Sequence, residues 1–266
     1  MDSNINPALI ISLLFSVVFP LGLLIWWKKK TGEKLWCFIA GAVCFTLFAM
    51  VLESMLHQVV LDPASGRYEK MMSSPVLYML YGAFAAGIFE ETGRLFGYKI
   101  LLKNRREKDC AVAYGIGHGG IEVIYVLGST YLLYVLVACG VPVTGTETDA
   151  LMAQAAASIT LGLTGVAMLE RVSAMMLHIG LSMLMFPAAK QKGKLWLWPA
   201  AICLHALADA PAALYQAGVI RSVFVIEGFT FVFGLAVLFA GIRTLKGYRE
   251  SGTENSDCCV PEDAAE

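Results

Sequence analysis

The stretch of sequence that decides the fold is the apolar run PALIISLLFSVVFPLGLLIWW at residues 7–27, which is followed at once by Lys28, Lys29 and Lys30. A helix needs about 20 apolar residues to cross the ~30 Å hydrocarbon core of a bilayer, and this run has that length. Because the basic triplet follows the run instead of preceding it, the pattern favours a retained span over a signal peptide.

The composition of the whole chain agrees with a membrane protein. Of its 266 residues, 58% are hydrophobic and 15% are charged, and the mean hydropathy is +0.66. Soluble domains carry about 25% charged residues. The net charge of −1 shows no basic excess. The apolar composition predicts the lipid bilayer as the surroundings of the chain. No nucleic-acid partner is expected, and the net charge itself does not bear on that question.

Further apolar runs predict an all-α, polytopic transmembrane bundle of about seven spans. After 7–27 these runs are 35–60, 75–102, 110–138, 165–189, 195–217 and 223–243. The loops at 28–34, 103–108, 190–194 and 243–249 hold 4, 4, 3 and 3 Lys or Arg residues. The intervening loops hold only Arg67, Lys70 and Arg221. By the positive-inside rule the N-terminus is predicted outside and the C-terminus inside.

We call the membrane side that carries the four basic loops the basic side, and the opposite one the far side. Residues 151–189 are apolar throughout, yet as one helix they would reach ~58 Å, nearly twice the hydrocarbon core. We therefore predict a short helix over 149–161 on the far side, broken near Gly162 and Gly165, before the fifth span. Residues 1–246 are interpreted as a single transmembrane domain, and 247–266 as a polar, disordered tail.

Ionisable residues lie inside four of the predicted spans, where they are costly and by default mark a functional site. They are Glu90, Glu91 and Arg94 in the third span, His118 and Glu122 in the fourth, His178 in the fifth, and His205 and Asp209 in the sixth. Counted from the basic ends, the acids and histidines fall in one layer ~12–21 Å deep. Glu53, His57, Glu170 and Glu227 are set aside because they lie nearer the far ends of their spans.

This set of side chains predicts activation of water. A carboxylate can act as general base, and histidines and acids can instead hold a metal such as zinc. The candidate ligands are His118, Glu122, His178 and His205. Arg94 can reach either Glu90 or Glu91, which point ~100° apart on a helix. One of the two glutamates is therefore expected to face the site.

The ordered motifs Glu90-Glu91-x-x-Arg94, His118-Gly-Gly-x-Glu122 and His205-x-x-x-Asp209 resemble those of the YhfC family of bacterial membrane proteins. That family is related to the PrsW and CAAX-processing groups of intramembrane proteases. The resemblance implies a multi-pass peptidase of the bacterial plasma membrane, acting on a membrane protein or peptide. Glu90 or Glu91 would activate water, with the cavity open toward the basic side. A zinc-dependent and a metal-free glutamate mechanism both stay open.

Three other functions fit the same residues. Intramembrane carboxylates and histidines also serve proton relays, so a transporter or proton-coupled carrier is the main alternative. His178 and His205 could be axial ligands of a b-type haem. The polar layer could also serve helix packing alone.

Overall fold

The structure, a computed structural model, describes residues 5–248, and within that range it is helical and contains no strand. The helices are α1 (Pro7–Thr31), α2 (Leu35–Val60), α3 (Gly66–Met72), α4 (Pro75–Leu101), α5 (Asp109–Ala138), α6 (Thr146–Ser158), α7 (Leu161–Lys190), α8 (Leu197–Gln216) and α9 (Val223–Lys246). Most of the predicted 247–266 tail lies outside the described residues. Residues 247 and 248 of this tail are described, and the ring of Tyr248 packs against that of Phe186 with centroids 5.2 Å apart.

The number and position of the predicted spans are confirmed. Six described helices are long and apolar enough to cross a membrane, and a bent pair of helices gives a seventh candidate. In that pair α3 meets α4 at an angle of 106°. The sequence pattern predicted only a loop before α4, but Ser65 caps α3 by accepting a hydrogen bond from the backbone N–H of Tyr68. The orientation of the termini stays a prediction.

The predicted break near Gly162 and Gly165 was wrong in position. The far-side helix α6 ends at Ser158, and Thr160 is the extended residue before α7. The Thr160 hydroxyl accepts a hydrogen bond from the Leu163 backbone N–H at 3.3 Å and so caps α7. Threonine satisfies the free N–H groups of a helix start, whereas a glycine inside a helix only weakens it.

Helix α7 is the centre of the bundle, because 72% of its apolar stretch is buried, against 22–33% for α1, α2, α5, α8 and α9. Glycines bring the helices around it into close contact. A Cβ atom on Gly115 would lie 2.7 Å from the Ile179 Cα of α7, and one on Gly117 would lie 1.9 Å from the Phe38 carbonyl oxygen of α2. Only glycine at these two positions allows the backbone of α5 to approach those of α7 and α2 so closely. The polar residues of α4, α5, α7 and α8 are thereby drawn together.

Three of the spans contain π-helical segments, at Thr46–Glu53, Gly97–Leu101 and Ile124–Gly128. The second begins three residues after Arg94, and the third begins two residues after Glu122. Short π-helical segments inside α-helices are frequent next to functional sites because they re-aim side chains.

Candidate active site

Glu90 of α4 faces three of the four histidines of the chain. Its Oε2 atom lies 2.9 Å from Nε2 of His118 and 3.8 Å from Nδ1 of His178. Its Oε1 atom lies 3.8 Å from Nε2 of His205. The histidines come from α5, α7 and α8, and each is buried. Four helices therefore supply one compact cluster, as the shared depth predicted.

Glu91, the adjacent residue, points into a different interface and pairs with Arg94. Both side chains are fully buried, and the Arg94 guanidinium donates to Glu91 Oε1. The same oxygen lies 2.8 Å from Nδ1 of His205. The sequence left open which glutamate pairs with Arg94, and the structure answers that it is Glu91. A rotation of ~100° per residue accounts for the different surroundings of the two glutamates.

Arg94 also orients the central histidine, since a second nitrogen of its guanidinium lies 3.2 Å from Nδ1 of His178. Arginine can only donate hydrogen bonds, so this Nδ1 must accept. The remaining proton of a neutral His178 is then on Nε2, which contacts a carboxylate oxygen of Glu122. Arg94 thus sets the direction in which His178 presents its proton.

Glu122 has a second partner that the sequence prediction left outside the site. Nη1 of Arg171 donates to Glu122 Oε1 at 2.8 Å, and Nη2 of Arg171 donates to Glu170. The available signal was spacing, because Arg171 precedes His178 by seven residues and so lies on the same face of α7. A chain of alternating charges therefore runs from Glu170 to Glu122 and on to His178.

Asp209 lies at the edge of the cluster, four residues after His205 and on the same face of α8. Its Oδ2 atom is 3.4 Å from Nε2 of His205, and its side chain is 39% exposed. The eight predicted site residues are therefore all brought together. Glu53 and His57 form a separate group with Tyr81, in which the Tyr81 hydroxyl lies 2.7 Å from Nδ1 of His57.

A cavity of about 290 Å³ adjoins the cluster and reaches Glu90, Glu122, His178, His205 and Asp209. Its other walls are on the far side, at Val126, Glu170, Ala174, Ala212, Thr230 and Gly234. The expectation of a cavity opening toward the basic side was therefore wrong. On that side the space is filled by the buried rings of Tyr98, Tyr114 and Phe186.

The cluster contains a donor set that fits a divalent metal. Glu90, His118 and His178 each offer one ligand atom, and the three atoms lie within 4.8 Å of one another. Nδ1 of His118 is buried without a hydrogen-bond partner. No hydrogen bond therefore has to be broken at this nitrogen when the ring binds an ion. Two imidazoles and a carboxylate are a set that suits zinc. An ion on His178 would have to replace one of the hydrogen bonds that its two ring nitrogens make, to Arg94 and to Glu122. His205 and Glu122 lie beside this set.

A helical bundle that encloses a histidine and carboxylate cluster beside a cavity is the architecture of a polytopic membrane protein with a polar site inside its membrane-spanning helices. The sequence profile of the family described as "YhfC intramembrane metalloprotease" matches residues 15–230. The chain belongs to this family, which confirms the resemblance predicted from the three motifs. The family description supports a membrane-embedded protease.

A curated relative shows the same relationship. The protein described as "Uncharacterized membrane protein YhfC" of Bacillus subtilis (strain 168) is 34% identical over 223 residues, which cover 79% of this chain and 84% of the relative. No solved structure matches the chain. Together with the spans, this relative supports a multi-pass membrane protein.

Proposed function

We propose that this protein is a metal-dependent intramembrane peptidase in which Glu90 activates the water that attacks the peptide bond. The observation that carries the proposal is the difference between the three glutamates of the cluster. Glu91 pairs with Arg94 and Glu122 pairs with Arg171, whereas the ion-pair partners of Glu90 are histidines. An arginine partner holds a carboxylate in its charged form, so Glu90 is the glutamate best suited to take up and release a proton.

The residues around Glu90 are proposed to position it and the substrate. Glu91 and Arg94 fix the rings of His205 and His178 through the hydrogen bonds described above. His205 and Asp209 border the cavity. Since Nδ1–H of His205 donates to the Glu91 carboxylate, it is the protonated form of His205 whose Nε2–H can donate to the substrate carbonyl as negative charge develops on its oxygen. The proton taken up by Glu90 is then available to the amine that leaves when the peptide bond breaks.

His118 and His178, the two imidazoles of this donor set, are proposed to hold the metal, with zinc as the expected ion, and Glu90 beside them stays free to act as the base. When bound, such an ion supplies Lewis-acid activation of water. Metal analysis of the purified protein tests this part. We expect about one equivalent of zinc in the wild type and loss of most of it in His118→Ala and His178→Ala, since each removes one ligand. His57→Ala is the matched control and should keep its metal. Wild-type protein without metal, purified without chelators, would contradict a metal site.

The peptidase reaction is tested by comparing protein N-termini in membranes that contain the wild type, Glu90→Gln or Glu227→Gln. Glu227 is also a buried glutamate of a span, but it lies outside the cluster and serves as the control. We expect a set of new N-termini with the wild type and Glu227→Gln that is absent with Glu90→Gln. The same N-termini in all three membranes would overturn the proposal.

A further inference from the structure

The cavity beside the cluster is lined by charged side chains that are not fully buried. The side chain of Asp209 is 39% exposed, and that of Glu170 is 46% exposed. Both residues lie within helices that are candidate membrane spans. A carboxylate in contact with hydrocarbon is costly, so such residues face water-filled cavities. The exposure of these two side chains therefore indicates that the cavity contains water.

The cavity runs in one direction along the helices. In α7, which begins on the far side, Glu170 precedes His178 by eight residues and so lies ~12 Å farther toward that side. In α8, which runs the opposite way, Ala212 follows His205 by seven residues and lies ~10 Å farther toward the same side. Both residues line the cavity. The cavity therefore leads from the cluster toward the far side.

The other direction is closed by tightly packed residues. Tyr98 is fully buried, and its single O–H lies between two acceptors, the carbonyl oxygens of Ala111 at 3.3 Å and Ser182 at 3.1 Å. The Nζ atom of Lys190 donates to the carbonyl oxygens of Tyr98 at 2.7 Å and Leu102 at 2.6 Å. These bonds join α4, α5 and α7 on the basic side, so the described residues are tightly packed there.

From this geometry we infer that water and substrate reach the cluster from the far side, through the cavity between α7, α8 and α9. Three walls of the cavity carry small residues, Ala174 of α7, Ala208 and Ala212 of α8, and Gly234 of α9. Small side chains leave room for a peptide main chain, so the substrate is an extended peptide segment presented on the far side. The direction of access stands without any assigned reaction, whereas the peptide nature of the substrate rests on the proposed function.

Cysteine labelling with a membrane-impermeant sulfonated maleimide tests the direction of access. The parent protein carries serine in place of Cys139, Cys203, Cys258 and Cys259, so that its remaining cysteines are buried. Into it are introduced Ala212→Cys in the cavity, Glu147→Cys on the far side and Lys192→Cys on the basic side. Each variant is labelled in sealed vesicles of both orientations and, for the total thiol content, after unfolding in SDS.

We expect Ala212→Cys to be labelled from the far side, the side that labels Glu147→Cys. Maleimides react with thiolates in water, so this labelling should be at least about tenfold faster than labelling from the basic side, the side that labels Lys192→Cys. Labelling of Ala212→Cys from the Lys192→Cys side would overturn the inference. Labelling from neither side, with full reaction in SDS, would also overturn it, since the cavity would then be dry. Far-side labelling together with cleavage by Glu90→Gln would keep the direction of access and reject the proposed reaction.

Discussion

The buried pair of Glu91 and Arg94 leads to a quantitative prediction about stability. Both side chains are 0% exposed, so neither charge can be hydrated if its partner is removed. Removing one member of a buried ion pair costs about 3–5 kcal/mol, because the other charge is left without compensation. We therefore expect Arg94→Met to lower the free energy of unfolding by about that amount. In this variant Glu91 would keep only the contact with His205, and His178 would lose its donor.

A double-mutant cycle separates the ion pair from general damage. Glu91→Gln alone leaves Arg94 charged and buried, and should cost a similar ~3–5 kcal/mol. The double variant Glu91→Gln/Arg94→Met buries no unpaired charge, so its loss should be smaller than the sum of the single losses by about 1–3 kcal/mol.

The assay is reversible unfolding by SDS in mixed micelles, followed by circular dichroism of the helices. Arg67→Met is the matched control, since Arg67 is exposed in the short helix α3, and it should change stability by less than about 1 kcal/mol. Single variants that each lose less than about 1 kcal/mol, or losses that add without coupling, would refute the reasoning.

Two further predictions concern helix contacts and the far-side loop. Gly117→Ala should destabilise the protein by about 3 kcal/mol in the same unfolding assay, because its Cβ atom would meet the Phe38 carbonyl. Gly82 has open space around it, so Gly82→Ala should be neutral or slightly stabilising. Equal effects of the two substitutions would contradict the close contact at Gly117. The backbone N–H and hydroxyl of Thr144 hydrogen-bond to Asp149 and lower the pKa of its carboxyl. Since that folded-state pKa is depressed, this contact is fully formed above the ordinary carboxyl pKa and is lost as the pH falls through the lowered value. Hydrogen exchange of the Thr144 amide in the wild type should therefore accelerate in that acidic range. In Asp149→Ala the same amide should already exchange faster at neutral pH. Unchanged exchange in this variant would contradict the predicted role of the Asp149 contact.

The spans and the layer of polar residues could be predicted from the sequence because both depend on local spacing. Apolar runs of sufficient length predicted α1, α2 and the later spans to within a few residues. The i,i+4 spacing predicted that His205 and Asp209 share a face, and the structure confirms it with a 3.4 Å contact. A common depth in the membrane predicted that the four helices meet at one level.

Contacts between helices could not be predicted in the same way, because they depend on how each helix is rotated. Spacing allowed Arg94 to reach Glu90 or Glu91, and only the rotation of α4 against α8 selects Glu91. The spacing places Arg171 on the His178 face, but its pairing with Glu122 requires α5 to lie beside α7. The direction of the cavity depends on the aromatic residues that fill the basic side, and their packing leaves no periodic signal in the sequence.

The central claim is that Glu90 activates water in a membrane-embedded peptidase. The most direct test is the rate of cleavage in proteoliposomes that contain the purified protein and a substrate identified from the membrane N-termini. We predict that Glu90→Gln lowers kcat by about 10²–10⁴-fold, the range that a general base contributes, while Glu227→Gln changes it little. Cleavage by a correctly folded Glu90→Gln variant at close to the wild-type rate would contradict the claim.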